Sequence, residues 1–167
     1  MYAQGREQQI APDQTDDLYQ ITLFDGFRVT DGKGKEIRLP PSTQRVVAYL
    51  ALRFRPVQRR QLAAGLWPDS TEHNAAANLR AGLWRIRRLA TGLVETTGDF
   101  IAVASTCRVD LHESLIAARR LLGRSGPEGS AVPDLRLFRG ELLPGWYDDW
   151  IDLEREALRQ ARLHALE

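Results

Sequence analysis

The stretch from Thr71 to Ala90, TEHNAAANLRAGLWRIRRLA, restricts what this chain can fold into more than any other. At the 3.6-residue period of a helix it divides into two faces. Ala76, Leu79, Leu83, Ile86 and Ala90 fall together, and Asn74, Ala77, Ala81, Trp84, Arg85 and Arg88 fall roughly opposite. The first face has to be buried against other apolar elements, because an amphipathic helix of this length draws its stability from packing. The second offers guanidinium groups, an amide and an indole with small alanines between them, which is the surface a helix needs to enter a DNA groove. A lone basic helix is more often a solvated face, so the neighbouring segments decide between the two readings.

Charge is distributed unevenly around that helix. The 167-residue chain has a net charge of only +1. From Arg53 to Arg88, however, there are eight arginines against Asp69 and Glu72, a local balance of +6. From Pro133 to Glu167 there are eight acids against five arginines, a balance of −3. The middle can attract a polyanion and the tail cannot. Lysine occurs only at Lys33 and Lys35, an arginine bias that suits phosphate and guanine but that a GC-rich genome also produces. Cys107 is the only cysteine, which excludes an intrachain disulfide and fits a reduced, cytoplasmic setting. The first residues lack the apolar core of a secretory signal, and no run of about 18 apolar residues offers a membrane span.

In chain order, residues 1–18 are polar and aperiodic and read as a flexible arm. YQITLF, GFRVT and KEIRL then read as three short antiparallel strands, with Asp25-Gly26 as a positive-φ turn and a second turn at Asp31-Gly32-Lys33-Gly34. Ser42 or Thr43 is the expected cap of a helix running to about Phe54, ended by Pro56. Val57 makes a short extended link, and Arg59 to about Leu66 forms a second helix burying Leu62, Ala63 and Leu66. Pro68 prevents that helix from running on, so Trp67-Pro68-Asp69-Ser70 is a turn. Asp69, Ser70 or Thr71 caps the third helix, completing a helix-turn-helix. LVETT and FIAVA, separated by Gly98-Asp99, make a hairpin directly after it, in the place of the wing of a winged helix. DLHESLIAARRLL from Asp110 reads as a further helix, GRSGPEGSAVP as a linker, and the segment from about Asp148 as a long helix with Trp150, Leu153, Ala157, Leu158, Ala161 and Leu166 near one side.

The order strands, helix, helix, basic helix, hairpin resembles the winged helix of OmpR-type response regulators, as does the run Leu83-Trp84-Arg85-Ile86-Arg87-Arg88. More closely, QLAAGLWPDSTEHNAAANLRAGLWRIRRL and RGELLPGWYDDWIDLERE resemble the SARP family, the Streptomyces antibiotic regulatory proteins, over about residues 19–167. The resemblance implies an α+β chain: a winged-helix DNA-binding domain at 19–110, with a strand meander before it and a hairpin wing at its end. At 111–167 it implies the N-terminal part of an all-helical activation domain of helical-repeat type. It further implies a transcriptional activator of antibiotic biosynthesis that binds promoter direct repeats, with a second copy on the DNA, and recruits RNA polymerase holoenzyme including its sigma factor. Two departures accompany it. Only the opening of the activation domain is present, and no receiver domain precedes the winged helix, so phosphorylation control is not implied.

The residues assign roles within that frame. Arg80, Arg85 and Arg88 are candidates for base or phosphate contact, with bidentate arginine to guanine as the discriminating bond. Asn74 and Asn78 suit adenine edges. Arg87, nearer the core side, is expected on a phosphate, with Arg59 and Arg60 on the flanking backbone. Thr96 and Thr97 at the hairpin tip offer hydroxyl and backbone contacts to phosphate. Trp84 is open between packing on the DNA backbone, on the wing and on another subunit. No catalytic constellation, cofactor motif or metal-ligand spacing emerges: His73, His112 and His164 lie apart, and Asp148, Asp149 and Asp152 are read as complementing a helix dipole. The rival reading is a protein-interaction module that keeps the scaffold without reading DNA.

Overall fold

The computed structural model describes residues 19–122 and 139–166, so the expected arm 1–18 and the linker beginning at Gly123 lie outside the described residues. β1 (Gln20–Thr22) and β2 (Arg28–Thr30) pair antiparallel, and Asp25 and Gly26 between them both take positive φ as expected. The third meander strand does not form. KEIRL contributes one bridge, Glu36 to Thr30, and the Ile37 N–H donates to Val29. The Asp31 carboxylate accepts from the Lys33 and Lys35 N–H groups instead, closing a tight turn. The other edge of β1 is taken by β6 (Arg108–Val109), which pairs parallel to it and makes the order β2-β1-β6.

α1 spans Pro41–Ala51. Neither Ser42 nor Thr43 caps it. Pro40 is the N-cap and Pro41 is the first helical residue, where a missing N–H and a preset φ cost nothing; Thr43 is buried. The helix stops at Ala51 rather than Phe54, with Leu52 and Arg53 N–H groups closing on Ala48 and Leu50. After β3 (Val57–Gln58), α2 spans Arg59–Leu66 and buries Leu62, Ala63 and Leu66. α3 spans Glu72–Leu89, and Thr71 is its cap, accepting from the Asn74 N–H at 3.2 Å. β4 (Val94–Thr97) and β5 (Phe100–Val103) form the hairpin, turning at Gly98-Asp99 with Gly98 at φ +59°, and β3 adds to β5 to give the order β3-β5-β4.

The buried face of α3 is Ala75, Leu79, Gly82, Leu83 and Ile86. Ala75, not Ala76, completes it. Each buried aliphatic side chain contributes roughly 1.5–3 kcal/mol. Gly82 permits a close approach of α3 to α1: a Cβ there would stand 3.2 Å from Val46 Cγ2.

α4 (Asp110–Leu122) and α5 (Asp149–Leu166) pack on the same core. Asp110 is buried, and its carboxylate accepts from the backbone N–H groups of Leu23, Phe24 and Leu111 at 2.8–3.1 Å. α5 docks through Trp150, Ile151 and Leu158, while Leu153, expected in that stripe, is 75% exposed and Ala157 and Ala161 also face outward. Trp150 meets the Tyr49 ring of α1 at 5.1 Å, and Arg45 of α1 and Arg53 just beyond its end pair with Asp148 and Glu154. Asp148 is thus an ion-pair partner; Asp149 and Asp152 occupy the first turn as the dipole reading expects, and Asp152 also pairs with Arg155 at 3.0 Å. No helix among the described residues is long and apolar enough to cross a membrane.

His112 stacks on Phe54 at 4.0 Å, is half-buried, and its Nε2 has no hydrogen-bond partner. Burial pushes its pKa below the ordinary 6.5, against a smaller opposing effect from a backbone bond with Ala51. A depressed folded-state pKa favours the neutral ring, so the stabilisation is complete above about pH 6.5 and declines as acid approaches the folded value. The wild type should therefore lose thermal stability faster than His112→Phe between about pH 7 and pH 5. Parallel melting-temperature profiles for the two proteins would refute this.

Candidate nucleic-acid interface

α3 is held from behind by its apolar face, which fixes the direction of every other side chain on it. At about 100° per residue, Ala77, Trp84 and Arg88 point most directly away from the core. Asn74, Asn78 and Arg85 occupy one shoulder, and Arg80 and Arg87 the other. Asn74, Asn78, Arg80, Trp84, Arg85, Arg87 and Arg88 are all exposed. From Asn74 to Arg88 the surface runs about 21 Å, close to six base-pair steps of B-form DNA. Ala77 and Ala81 leave a shallow trough along its middle. Arg80 and Arg87, given different tasks by sequence alone, share one shoulder and so face the same surroundings.

The arginines differ in what already engages them. Among the described residues, Arg80, Arg85 and Arg87 have no ion pair, so their forks of N–H donors are open. The Arg88 guanidinium lies over the Trp84 indole, 4.9 Å from the ring centroid. Arg60 is paired with Glu72 across the α2–α3 junction at 3.0 Å, with both side chains well exposed. An exposed pair of this kind is worth less than about 1 kcal/mol, so a phosphate can displace Glu72. Arg59 is half-buried, and its backbone N–H donates to the Asp99 carbonyl at 2.7 Å, which ties the hairpin tip to the start of α2.

Thr96 and Thr97 are exposed near that tip. Phe100, opposite Thr97 in the register, is 48% exposed beside Pro56 and Ala102 and was not singled out from the sequence. Its alternation with buried Ile101 is the signal that places it outward. Between α2 and α3 lies a groove of about 590 Å³, floored by Ala63, Ala64, Ala75 and Ala76 and rimmed by Arg59 and Arg60. Cys107 is half-buried just before β6, and burial pushes its thiol pKa up, which suits a packed thiol rather than a nucleophile. Among the described residues no group of three or more His, Cys, Asp or Glu side chains gathers as a metal site.

No family model matches the chain, and no curated protein does. Among solved structures, the fold is similar to that of Mycobacterium tuberculosis EmbR in complex with a low-affinity phosphopeptide, with a TM-score of 0.62 at 20% sequence identity. The match covers 88% of this chain and 43% of the EmbR chain, so the protein spans less than half of that neighbour's length. At that identity the likeness establishes a shared fold.

Proposed function

We propose that this protein is a sequence-specific, double-stranded-DNA-binding transcriptional activator built on a winged helix-turn-helix. α3 lies in the major groove, with Arg85 and Arg88 reading bases and Asn74 and Asn78 suited to adenine. Arg80 and Arg87 face the phosphates along one shoulder, and Arg59, Arg60, Thr96 and Thr97 hold the flanking backbone. The observation that carries this reading is the outward face of α3: open arginine forks and small residues on a helix whose opposite side is fully committed to the core. The fold shared with EmbR and the SARP-like motifs support it.

The SARP resemblance extends the proposal. Two copies bind promoter direct repeats, recruit RNA polymerase holoenzyme with its sigma factor, and act on antibiotic biosynthesis genes. Residues 19–110 read DNA and residues 111–167 serve protein contacts. That division is one of labour, since Leu111, Trp150, Ile151 and Leu158 share a core with α1 and α3.

The test is binding to duplexes recovered from a random-sequence pool, measured across salt concentrations. With four flanking arginines as phosphate contacts, log affinity should fall against log salt with a slope of about −3 to −5. A flat salt response would remove the DNA reading and leave the protein-interaction module. A recovered motif with two half-sites in the same orientation supports paired binding, and a single site counts against it.

A further inference from the structure

Trp84 and Arg88 stand one turn apart on α3, on the part of the helix farthest from the core. The indole is 57% exposed, which is unusual for so large an apolar side chain in a position the core does not need. Leu79, Leu83 and Ile86 hold the helix in place without it. As a contribution to folding, an exposed cation–π contact is small. Its larger effect is on where the guanidinium can be. A free arginine side chain samples many rotamers, and fixing it on binding opposes affinity. An indole 4.9 Å from the guanidinium carbon restricts those rotamers from one side and leaves N–H donors open on the others. Those donors are what pair with guanine O6 and N7. Among the described residues no other arginine of α3 rests on a ring.

We propose that Trp84 is a positioning residue that holds the Arg88 fork edge-on to one guanine, so that the Trp84–Arg88 pair sets specificity at that base pair. The inference rests on the DNA reading of α3. Trp84 contributes no charge and takes no phosphate. It acts by limiting Arg88 before the duplex arrives, and the indole lies over the step next to the guanine that Arg88 reads.

The experiment is a double-mutant cycle in the full chain, using a duplex recovered from a random pool and a mixed-sequence duplex as the reference. Trp84→Ala should lower affinity for the recovered duplex by about 3- to 30-fold, leave the reference unchanged and leave the salt slope unchanged. Trp84→Phe should restore most of the loss. Arg88→Ala should cost much less in the Trp84→Ala background than in the wild type. Arg88→Lys, which keeps the charge without the fork, should lose specificity while holding the salt slope. Melting temperatures should be unchanged throughout, because both side chains are exposed. Additive losses in the cycle, or an equal loss on the reference duplex, would overturn the proposal while leaving DNA binding in place. Failure of every duplex to bind with salt-dependent affinity would remove the DNA reading and this proposal with it.

Discussion

With alanine at both Arg85 and Arg88, the protein should keep its fold and lose its preferred duplex, with affinity down by roughly 30-fold to 10⁴-fold. Each arginine–guanine pair discriminates by about 1–3 kcal/mol, and the two act at neighbouring positions of one helix face. Folding should be untouched because both side chains are exposed and neither pairs with an acid among the described residues. The informative comparison is Arg80→Ala with Arg87→Ala. That pair lies on the other shoulder of α3 and should weaken all duplexes alike while reducing the salt slope by about two. Titration of the preferred and mixed-sequence duplexes at two salt concentrations separates the cases. If the Arg85 and Arg88 variant lost affinity equally for both duplexes, base reading would have to be assigned elsewhere on the helix.

Asp110→Ala should be the most damaging single substitution for stability, with a loss of at least about 3 kcal/mol. Its carboxylate serves three buried backbone donors, those of Leu23, Phe24 and Leu111. Alanine leaves each without an acceptor, and an orphaned buried donor costs about 1–3 kcal/mol. A domain of this size is stable by only about 5–15 kcal/mol, so the loss should show plainly in a denaturant titration. Asp110→Asn, which keeps one acceptor oxygen but brings an amide toward the donors, should fall between. A loss below about 1 kcal/mol for the alanine variant would mean that water replaces the carboxylate.

Where local chemistry decides, the fold was legible in the residues. Pro68 and Thr71 punctuate the chain strongly, and the end of α2 and the start of α3 follow from them, as the hairpin turn follows from Gly98-Asp99. The misreadings share a different cause. The third meander strand shrinks to a single bridge on the β2 edge because the Asp31 carboxylate takes the Lys33 and Lys35 N–H groups, while the far edge of β1 goes to β6, two residues long and distant in sequence, whose pairing no local pattern announces. Ser42 and Thr43 are good caps by residue type, but Pro40-Pro41 also opens a helix well, and the packing of Val46, Val47 and Leu50 favours the earlier start. Ala75 and Ala76 are chemically alike, so periodicity alone cannot say which of them is buried. On α5, Ile151 took the buried place expected of Leu153 because the helix is oriented by Trp150 against Tyr49, a contact between distant segments. Every polar residue expected on the outward face of α3 is exposed. The Glu72 hold on Arg60 and the ring beneath Arg88 needed three dimensions.

The bond from the Arg59 N–H to the Asp99 carbonyl bears on timing as well as on shape. A loose hairpin would have to be immobilised at each encounter with a ligand, at about 1–2 kcal/mol of backbone entropy per residue. Here the tip is moored to the first turn of α2 and the strand behind it to β3, so that ordering is completed when the chain folds. Encounter then requires only side-chain adjustment, which is fast. Complex formation should accordingly proceed in a single kinetic phase, with a rate proportional to duplex concentration and no slower step of loop closure behind it.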